Sequence, residues 1–450
     1  MLLTFLSAVL FYLSFPNMIS MYGFWPCIWF FAVPLLFALK EQPLTKRLGY
    51  AAIWGFCAYG LMSQGLLGVS PAGFLIFVLG LSLQTLVFAC LFRSTGYVLA
   101  DIVYIPCIWC VSEFIRNGLL GGFSFYISHA QAFCPPMLQL YAYIGCLGMS
   151  FIIFLVNVLI FMGVAHRKHR ALFISAAGII FLGVLTFGSL KKTEAFPVTR
   201  TLHVSVIQAD ISPQEKASLD HFNQNIARHM RLTERSFGQE QPDLVIWPET
   251  AFPDDLLQND QWRPLIFALA QRMKADILLG IAPIIEGKEY NSAILINDHL
   301  GVGGLYHKQA LVPFAETMPL EAWGIHWGRG YHFSAGHKPG LFAIKGGFLR
   351  FGVVICSESA HPAMVRQLRR SGARFLVELS NDGWFTDKAS YMLHAQAAVM
   401  RAVEEHMWVI RAANTGWSFA VAPDGTIHTD GNLKLGREGF GNFDIMVNSP

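Results

Sequence analysis

The chain has 450 residues, 54% of them hydrophobic and only 14% charged, with a mean hydropathy of +0.43. That balance excludes an ordinary soluble globular protein and describes an integral membrane protein. A net charge of +3 with no long Lys/Arg tract excludes a nucleic-acid partner, so the charge matters through where it falls.

Seven stretches read as apolar enough to cross a bilayer, near residues 1–20, 23–39, 48–69, 72–92, 96–115, 137–163 and 171–190. The first lacks the basic start and small-residue cleavage site of a signal peptide and is read as a helix. With the N-terminus in the cytoplasm, the cytoplasmic loops carry Lys40, Lys46, Arg47, Arg93, Arg167, Lys168 and Arg170, whereas the opposite loops between spans carry only Arg116. This bias obeys the positive-inside rule and leaves everything after Leu190 outside. The expected organisation is a transmembrane domain of about seven helices over 1–190, a junction at 191–200 and an extracytoplasmic domain over 201–450. In a diderm bacterium that domain faces the periplasm from the inner membrane.

Seven of the eight cysteines fall in the membrane half and read as small packing residues. CIWC at 107–110 lies within a span without a second pair, so it is not read as a metal site. Asp101 and Glu113 are acidic residues in or near a span and receive no role. HRKHR at 166–170 reads as an orientation-setting loop.

From about residue 200 short strand-like runs alternate with helical patterns. LHVSVIQAD (202–210), DLVIW (243–247), ADILLGIAP (275–283), SAILIND (292–298), LRFGVVIC (349–356) and ARFLVELS (373–380) predict a layered α/β domain of about 250 residues. Three of its segments put a reactive side chain at or just beyond a strand, where α/β folds collect site residues. LVIWPETAFP carries Glu249, GLYHKQALVPFAE carries Lys308 and Glu316, and FGVVICSESAHP carries Cys356, Ser357 and Glu358. Each has an ordinary reading by itself: a helix-start glutamate, a solvated lysine, a buried thiol. Together they supply what thiol chemistry requires. A carboxylate takes the proton, a cation holds the thiolate and a developing oxyanion, and the sulfur attacks. Neither a metal nor a cofactor is needed.

WPETA, YHKQALVPFAE and VVICSES resemble the Glu-Lys-Cys signatures of the nitrilase superfamily, and SNDGWFTD (380–387), LHAQAAVMRAVEE (393–405) and RAANTGWSFAVAPDG (411–425) extend the resemblance. With a multi-span half before the domain, the whole resembles the apolipoprotein N-acyltransferases, the membrane branch of that superfamily. The resemblance implies a multi-span α-helical membrane bundle followed by a nitrilase-like αββα sandwich. It also implies transfer of an acyl chain from a phospholipid donor, through a thioester on Cys356, to the α-amine of a diacylglyceryl-cysteine lipoprotein. Glu249 is then the base, Lys308 the oxyanion and thiolate partner, Glu316 and Glu358 supporting carboxylates, and Ser357 N–H a second oxyanion donor. Trp323, Trp327, Tyr331 and Phe333 are candidates for an aromatic cover or for packing within the domain.

The chain departs from the family pattern in three places. Ser357 replaces a tyrosine that often follows the nucleophile, and ETMPL (316–320) lacks an aromatic often found beside the glutamate. Members commonly carry another membrane helix after the catalytic domain, but nothing after Gly431 is apolar enough to span, which makes the N-terminal bundle the expected anchor. A membrane-anchored amidase, a diverged nitrilase-like protein of a conjugal-transfer system and a non-enzymatic assembly factor are the competing readings.

Overall fold

The computed structural model describes residues 1–448 except 69, 122–124, 193–199, 217, 238–240, 300, 314, 318–331 and 345. Two compact units are present: Met1–Glu194 together with Phe385–Glu404, and Ala195–Trp384 together with Glu405–Pro450.

The first unit is helical, with α1 (Leu2–Ser14), α2 (Ala32–Leu39), α3 (Leu44–Met62), α4 (Pro71–Leu91), α5 (Val98–Leu119), the short α6 (Pro135–Leu138), α7 (Tyr141–Ala165) and α8 (Arg170–Lys192). Four helices among the described residues are long and apolar enough to cross a membrane: Pro71–Leu91, Val98–Leu119, Tyr141–Ala165 and Arg167–Lys192. The first three expected spans differ from this. Pro16 follows α1 and stops it after 13 residues, about 20 Å of helix against a hydrocarbon core of about 30 Å. The second is split, a 3-10 turn at Trp25–Trp29 preceding the eight-residue α2. The third, α3, has 19 residues but starts with Lys46 and Arg47 in its first turn.

Aromatic side chains fill the centre of this unit. Trp109 stacks on Phe154 with ring centroids 4.5 Å apart, and Phe31 and Phe88 meet Trp109 edge-on. Glu113 is buried and accepts a hydrogen bond from Ile127 N at 2.9 Å. Asp101 accepts from Ser94 Oγ at 2.8 Å and Thr95 N at 2.7 Å. Asp101 thus closes a local turn before α5, and Glu113 caps a backbone N–H of the segment that follows that helix. Within the same unit, Cys146 Sγ donates to Glu404 Oε1 at 2.7 Å, and Arg401 lies 2.8 Å from Glu404, tying Phe385–Glu404 to the bundle helices.

The second unit is built on two six-stranded sheets. Its strands are β1 (Arg200–Gln208), β2 (Leu244–Ile246), β3 (Asp276–Ile281), β4 (Ile284–Ile285), β5 (Lys288–Glu289), β6 (Ser292–Asn297), β7 (Gly301–His307), β8 (Leu341–Ile344), β9 (Leu349–Ile355), β10 (Phe375–Ser380), β11 (Trp408–Ala413), β12 (Phe419–Val421), β13 (Ile427–His428) and β14 (Gly439–Val447). One sheet runs β14-β1-β2-β3-β6-β7, the other β13-β12-β11-β10-β9-β8, and β4-β5 is a separate hairpin. The central pairs β1–β2, β2–β3, β9–β10 and β10–β11 are parallel, and the flanking pairs antiparallel.

Alternation along the strands sorts the apolar residues between two faces. Leu244 and Ile246 of β2 join Val353, Ile355, Val377 and Ile410 in one core between the sheets. Val245, Ile277 and Leu279 point the other way, onto α10 (Leu219–Ser236) and α11 (Trp262–Met273), which follow the short α9 (Pro213–Lys216). On the second sheet, Leu368 of α12 (Pro362–Arg370) packs at Gly352 beside Leu376. The crossover from β10 to β11 runs through α13 (Lys388–Glu405). Two sheets face to face with helices outside form the αββα architecture.

Candidate active site

Glu249, Lys308 and Cys356 each follow the end of a strand: β2, β7 and β9. Pro248 and Glu249 turn away after β2, and Thr250 adopts φ +47°, a left-handed backbone that is strained for a β-branched residue. Gly280 of β3 makes room for that turn. A Cβ there would lie 2.4 Å from Thr250 N and 2.6 Å from Pro248 O. Gly280→Ala is therefore expected to destabilise the protein by roughly 2 kcal/mol through overpacking, seen as a lower melting temperature, whereas an unchanged melt would show that the turn yields freely.

Cys356 also has a positive φ, +54°, and opens the 3-10 turn Cys356–Ala360. A sharp turn at the end of a strand presents a nucleophile away from its neighbours. Its thiol is partly buried against the core between the sheets.

The side chains converge on Lys308, which is 1% exposed. Its Nζ lies 2.9 and 2.8 Å from the two Glu316 oxygens and 3.9 Å from Glu249 Oε1. Asn291, buried between β5 and β6, donates through Nδ2 to Glu249 Oε1 at 2.7 Å and to Glu316 Oε1 at 2.8 Å. Its carbonyl accepts from Lys308 N at 2.8 Å. Glu316 also accepts from Val312 N at 2.8 Å. One amide thus sets the spacing of two carboxylates around one ammonium.

Glu358 forms a separate anchor. It accepts from Tyr306 Oη, from Gln309 N at 2.7 Å, from Ala310 N at 3.1 Å and from Ile355 N at 2.8 Å. These bonds tie the nucleophile turn to the chain just past Lys308. Ser357 Oγ adds a long 3.4 Å bond to Ala310 O.

Burial and neighbouring charges compete in the titration of this cluster. Burial alone would depress Lys308, but Glu316, then Cys356, Glu249 and Glu358, outweigh it and hold the ammonium above its ordinary value. Burial raises Glu249 above the usual carboxylate range, with Lys308 opposing and Glu316 adding to the rise. Burial also raises Glu358, against Lys308 and the donors around it. A raised carboxylate beside a stable cation is an arrangement suited to moving a proton near neutral pH.

Glu249, Lys308 and Glu316 from the sequence are thus joined in one network, and Glu358 ties the turn that carries Cys356 to the chain beside it. Asn291 belongs to that network and carries no signal in the sequence, while Tyr306 and Arg411, each the first residue of a family-like stretch, were given no role there and bond Glu358 and Asp382. Arg411 of β11 donates to Asp382 at 2.7 and 2.9 Å, to Ser380 Oγ at 3.1 Å and to Glu378, all buried. Burial lowers its pKa to about 10, and Cys356 and Glu249 draw it back. Trp323, Trp327 and Tyr331 lie outside the described residues. Phe333 is buried, and its N–H bonds Glu316 O at 3.0 Å, so it packs within the domain.

Comparison with known proteins finds relatives for both parts of the chain. Residues 203–434 match the carbon-nitrogen hydrolase family, and residues 7–159 match the apolipoprotein N-acyltransferase N-terminal domain. The apolipoprotein N-acyltransferase of Geobacter metallireducens is 26% identical over 99% of this chain and 89% of its own length. That of Allorhizobium ampelinum is 31% identical over 78% and 68%. Among solved structures, Saccharomyces cerevisiae Nit3 of the nitrilase superfamily is 19% identical, with a TM-score of 0.44, over 56% of this chain and 93% of that one. A hydrolase-type α/β unit joined to this N-terminal domain, in a single chain and over nearly its full length, makes the protein a member of the apolipoprotein N-acyltransferase family, the membrane branch of the carbon-nitrogen hydrolases.

Proposed function

We propose that this enzyme moves a fatty acyl chain from a phospholipid, through a thioester on Cys356, to the N-terminal amine of a diacylglyceryl-cysteine lipoprotein. The observation that supports the reading is a buried carboxylate, Glu249, 3.9 Å from a buried ammonium, Lys308, with the turn that carries Cys356 tied by Glu358 to Gln309 N beside that lysine.

In the first step Glu249 takes the proton from Cys356 Sγ, and the thiolate attacks the ester carbonyl of the phospholipid. Lys308 Nζ and Ser357 N–H stabilise the oxyanion. When the intermediate collapses, the C–O bond to the glycerol breaks and Glu249 returns its proton to the departing alkoxide, so lysophospholipid leaves and the acyl group stays on sulfur. In the second step the α-amine of the acceptor attacks the thioester, Glu249 accepts a proton from the nitrogen, and the C–S bond breaks. The amide leaves, and the proton returns to Cys356. Glu316 and Asn291 hold Lys308 and Glu249 in register, and Glu358 holds the nucleophile turn. A thioester suits this sequence because it keeps the acyl group activated while one lipid leaves and the next enters.

The same reading assigns the enzyme to the bacterial inner membrane as a multi-pass protein with its catalytic unit on the periplasmic side; Arg167, Lys168 and Arg170, where α7 gives way to α8, support it by the positive-inside rule, whereas Arg116, read from the sequence as an outer-loop residue, is buried within α5.

The test is product analysis with a radiolabelled phospholipid and a synthetic diacylglyceryl-cysteine peptide. Acyl-amide peptide and lysophospholipid formed one for one support the reading. Free fatty acid without amide, or turnover of small amides instead, assigns the site to hydrolysis.

A further inference from the structure

A second lysine reaches the site from outside the network around Lys308. Lys216 ends the four-residue helix α9, just beyond β1. The start of that helix is pinned by a capping box. Ser212 N and Oγ donate to Glu215 Oε2 at 2.9 and 3.0 Å, and Glu215 N donates to Ser212 Oγ at 3.2 Å. Asn225 of α10 adds a bond to the Glu215 carbonyl at 3.2 Å. The root of Lys216 is therefore fixed, and its side chain spans to the turn after β2. Its Nζ donates to the Glu249 carbonyl at 2.9 Å and to Thr250 Oγ1 at 3.1 Å.

Those two acceptors belong to the strained part of that turn. Thr250 has the left-handed φ, and Gly280 supports the turn from the β3 side. A β-branched residue holds such a conformation only when its surroundings over-determine it. Lys216 provides that restraint on the peptide that carries Glu249.

We infer that Lys216 is a positioning residue for Glu249, clamping the Glu249–Thr250 turn so that the carboxylate stays against Asn291 and Lys308. The inference rests on the reading of Glu249 as the base for Cys356. The charge environment agrees. Burial pushes the Lys216 ammonium down to about 7, the Glu249 carboxylate draws it back, and Lys216 in turn lowers Glu249.

The test compares full-length wild type with Lys216→Met and Lys216→Arg in detergent, with dipalmitoyl phosphatidylethanolamine and, separately, dipalmitoyl phosphatidylglycerol as donors. Lys216→Met is expected to lower kcat for acylation of Cys356 about a hundredfold, the scale of a misplaced catalytic group. The KM for phospholipid should stay unchanged, because no substrate contact is removed, and the melting temperature should stay close to wild type. Lys216→Arg should recover most of the rate. A wild-type kcat in Lys216→Met, or a loss that tracks a lower melting temperature and is not relieved by arginine, overturns the inference. If wild type takes up no acyl chain, the phospholipid reading fails, and Lys216 is judged by the alkylation of Cys356 with iodoacetamide, followed by peptide mass. Slower alkylation in Lys216→Met with recovery in Lys216→Arg supports the clamp, and equal rates overturn it.

Discussion

Replacing Lys308 by methionine is expected to reduce acyl transfer by about a thousandfold or more and to destabilise the protein by roughly 3–5 kcal/mol. Both effects have one origin. Lys308 is buried and faces Glu316 at 2.8 Å and Glu249 at 3.9 Å, with Cys356 and Glu358 contributing to the same field. Without the ammonium, Glu316 remains buried with Asn291 and Val312 as its donors among the described residues, and an uncompensated buried charge costs several kcal/mol. The pKa of Lys308 is raised on folding. Its stabilising contribution is therefore complete at all pH values below the ordinary lysine value and is lost only as pH rises through the higher folded value. At neutral pH the whole contribution is at stake. Lys308→Arg is expected to recover stability in part and activity poorly, because a planar fork does not replace a compact ammonium in a packed site. Chemical denaturation and single-turnover acylation separate the two. A Lys308→Met protein of wild-type stability would mean that the carboxylates are neutral in the folded state, and one of wild-type rate would remove Lys308 from the mechanism.

Glu249→Gln is expected to act on rate alone. Glutamine keeps an oxygen to accept from Asn291 Nδ2 but cannot take a proton, so acylation should fall by about 10²–10⁴-fold, the usual scale of general-base catalysis. Stability should be unchanged or slightly higher. Burial raises the pKa of Glu249, so the stabilising effect of its protonated form is present below the unfolded value and lost as pH rises through the folded one. The neutral amide removes that loss at pH 7. The same shift sets the acid limb of the wild-type rate. Only the ionised carboxylate accepts the proton, so acylation should decline as pH falls through a value above the ordinary glutamate pKa, and Glu249→Gln should lack that limb. Pre-steady-state acylation against pH reads both. An acid limb at or below the ordinary glutamate pKa, or one retained in the glutamine variant, assigns the base elsewhere.

Glu249, Lys308 and Cys356 were legible in the sequence because each stands where an apolar run stops, and β-strand ends are recognisable by pattern alone. Asn291 was not. It sits between two short strands, where asparagine is an ordinary turn residue, and its role exists only because the fold brings Glu249 and Glu316 to the same amide. Tyr306 and Arg411 stand in stretches that carry the family resemblance, but their roles stayed hidden because their partners Glu358 and Asp382 are distant in sequence. Lys216 looks like a solvated lysine in a polar stretch until its ammonium is seen on the Glu249 carbonyl. In the membrane half, hydropathy marked apolar composition correctly but overran the helices where Pro16 and the 3-10 turn at Trp25–Trp29 interrupt them. Nor does an amphipathic pattern say what a helix packs on. LHAQAAVMRAVEE reads as part of the α/β domain, yet Phe385–Glu404 groups with the helical unit through contacts such as Glu404 with Cys146.

The central claim is that Cys356 carries the acyl group. Intact mass spectrometry of the purified protein after incubation with a phospholipid of two identical chains, beside Cys356→Ala, tests it most directly. The account predicts a gain of one acyl chain on wild type, released by neutral hydroxylamine as a thioester and absent from the alanine variant. An unmodified wild-type protein across several phospholipids, or an adduct that survives in Cys356→Ala, would contradict it.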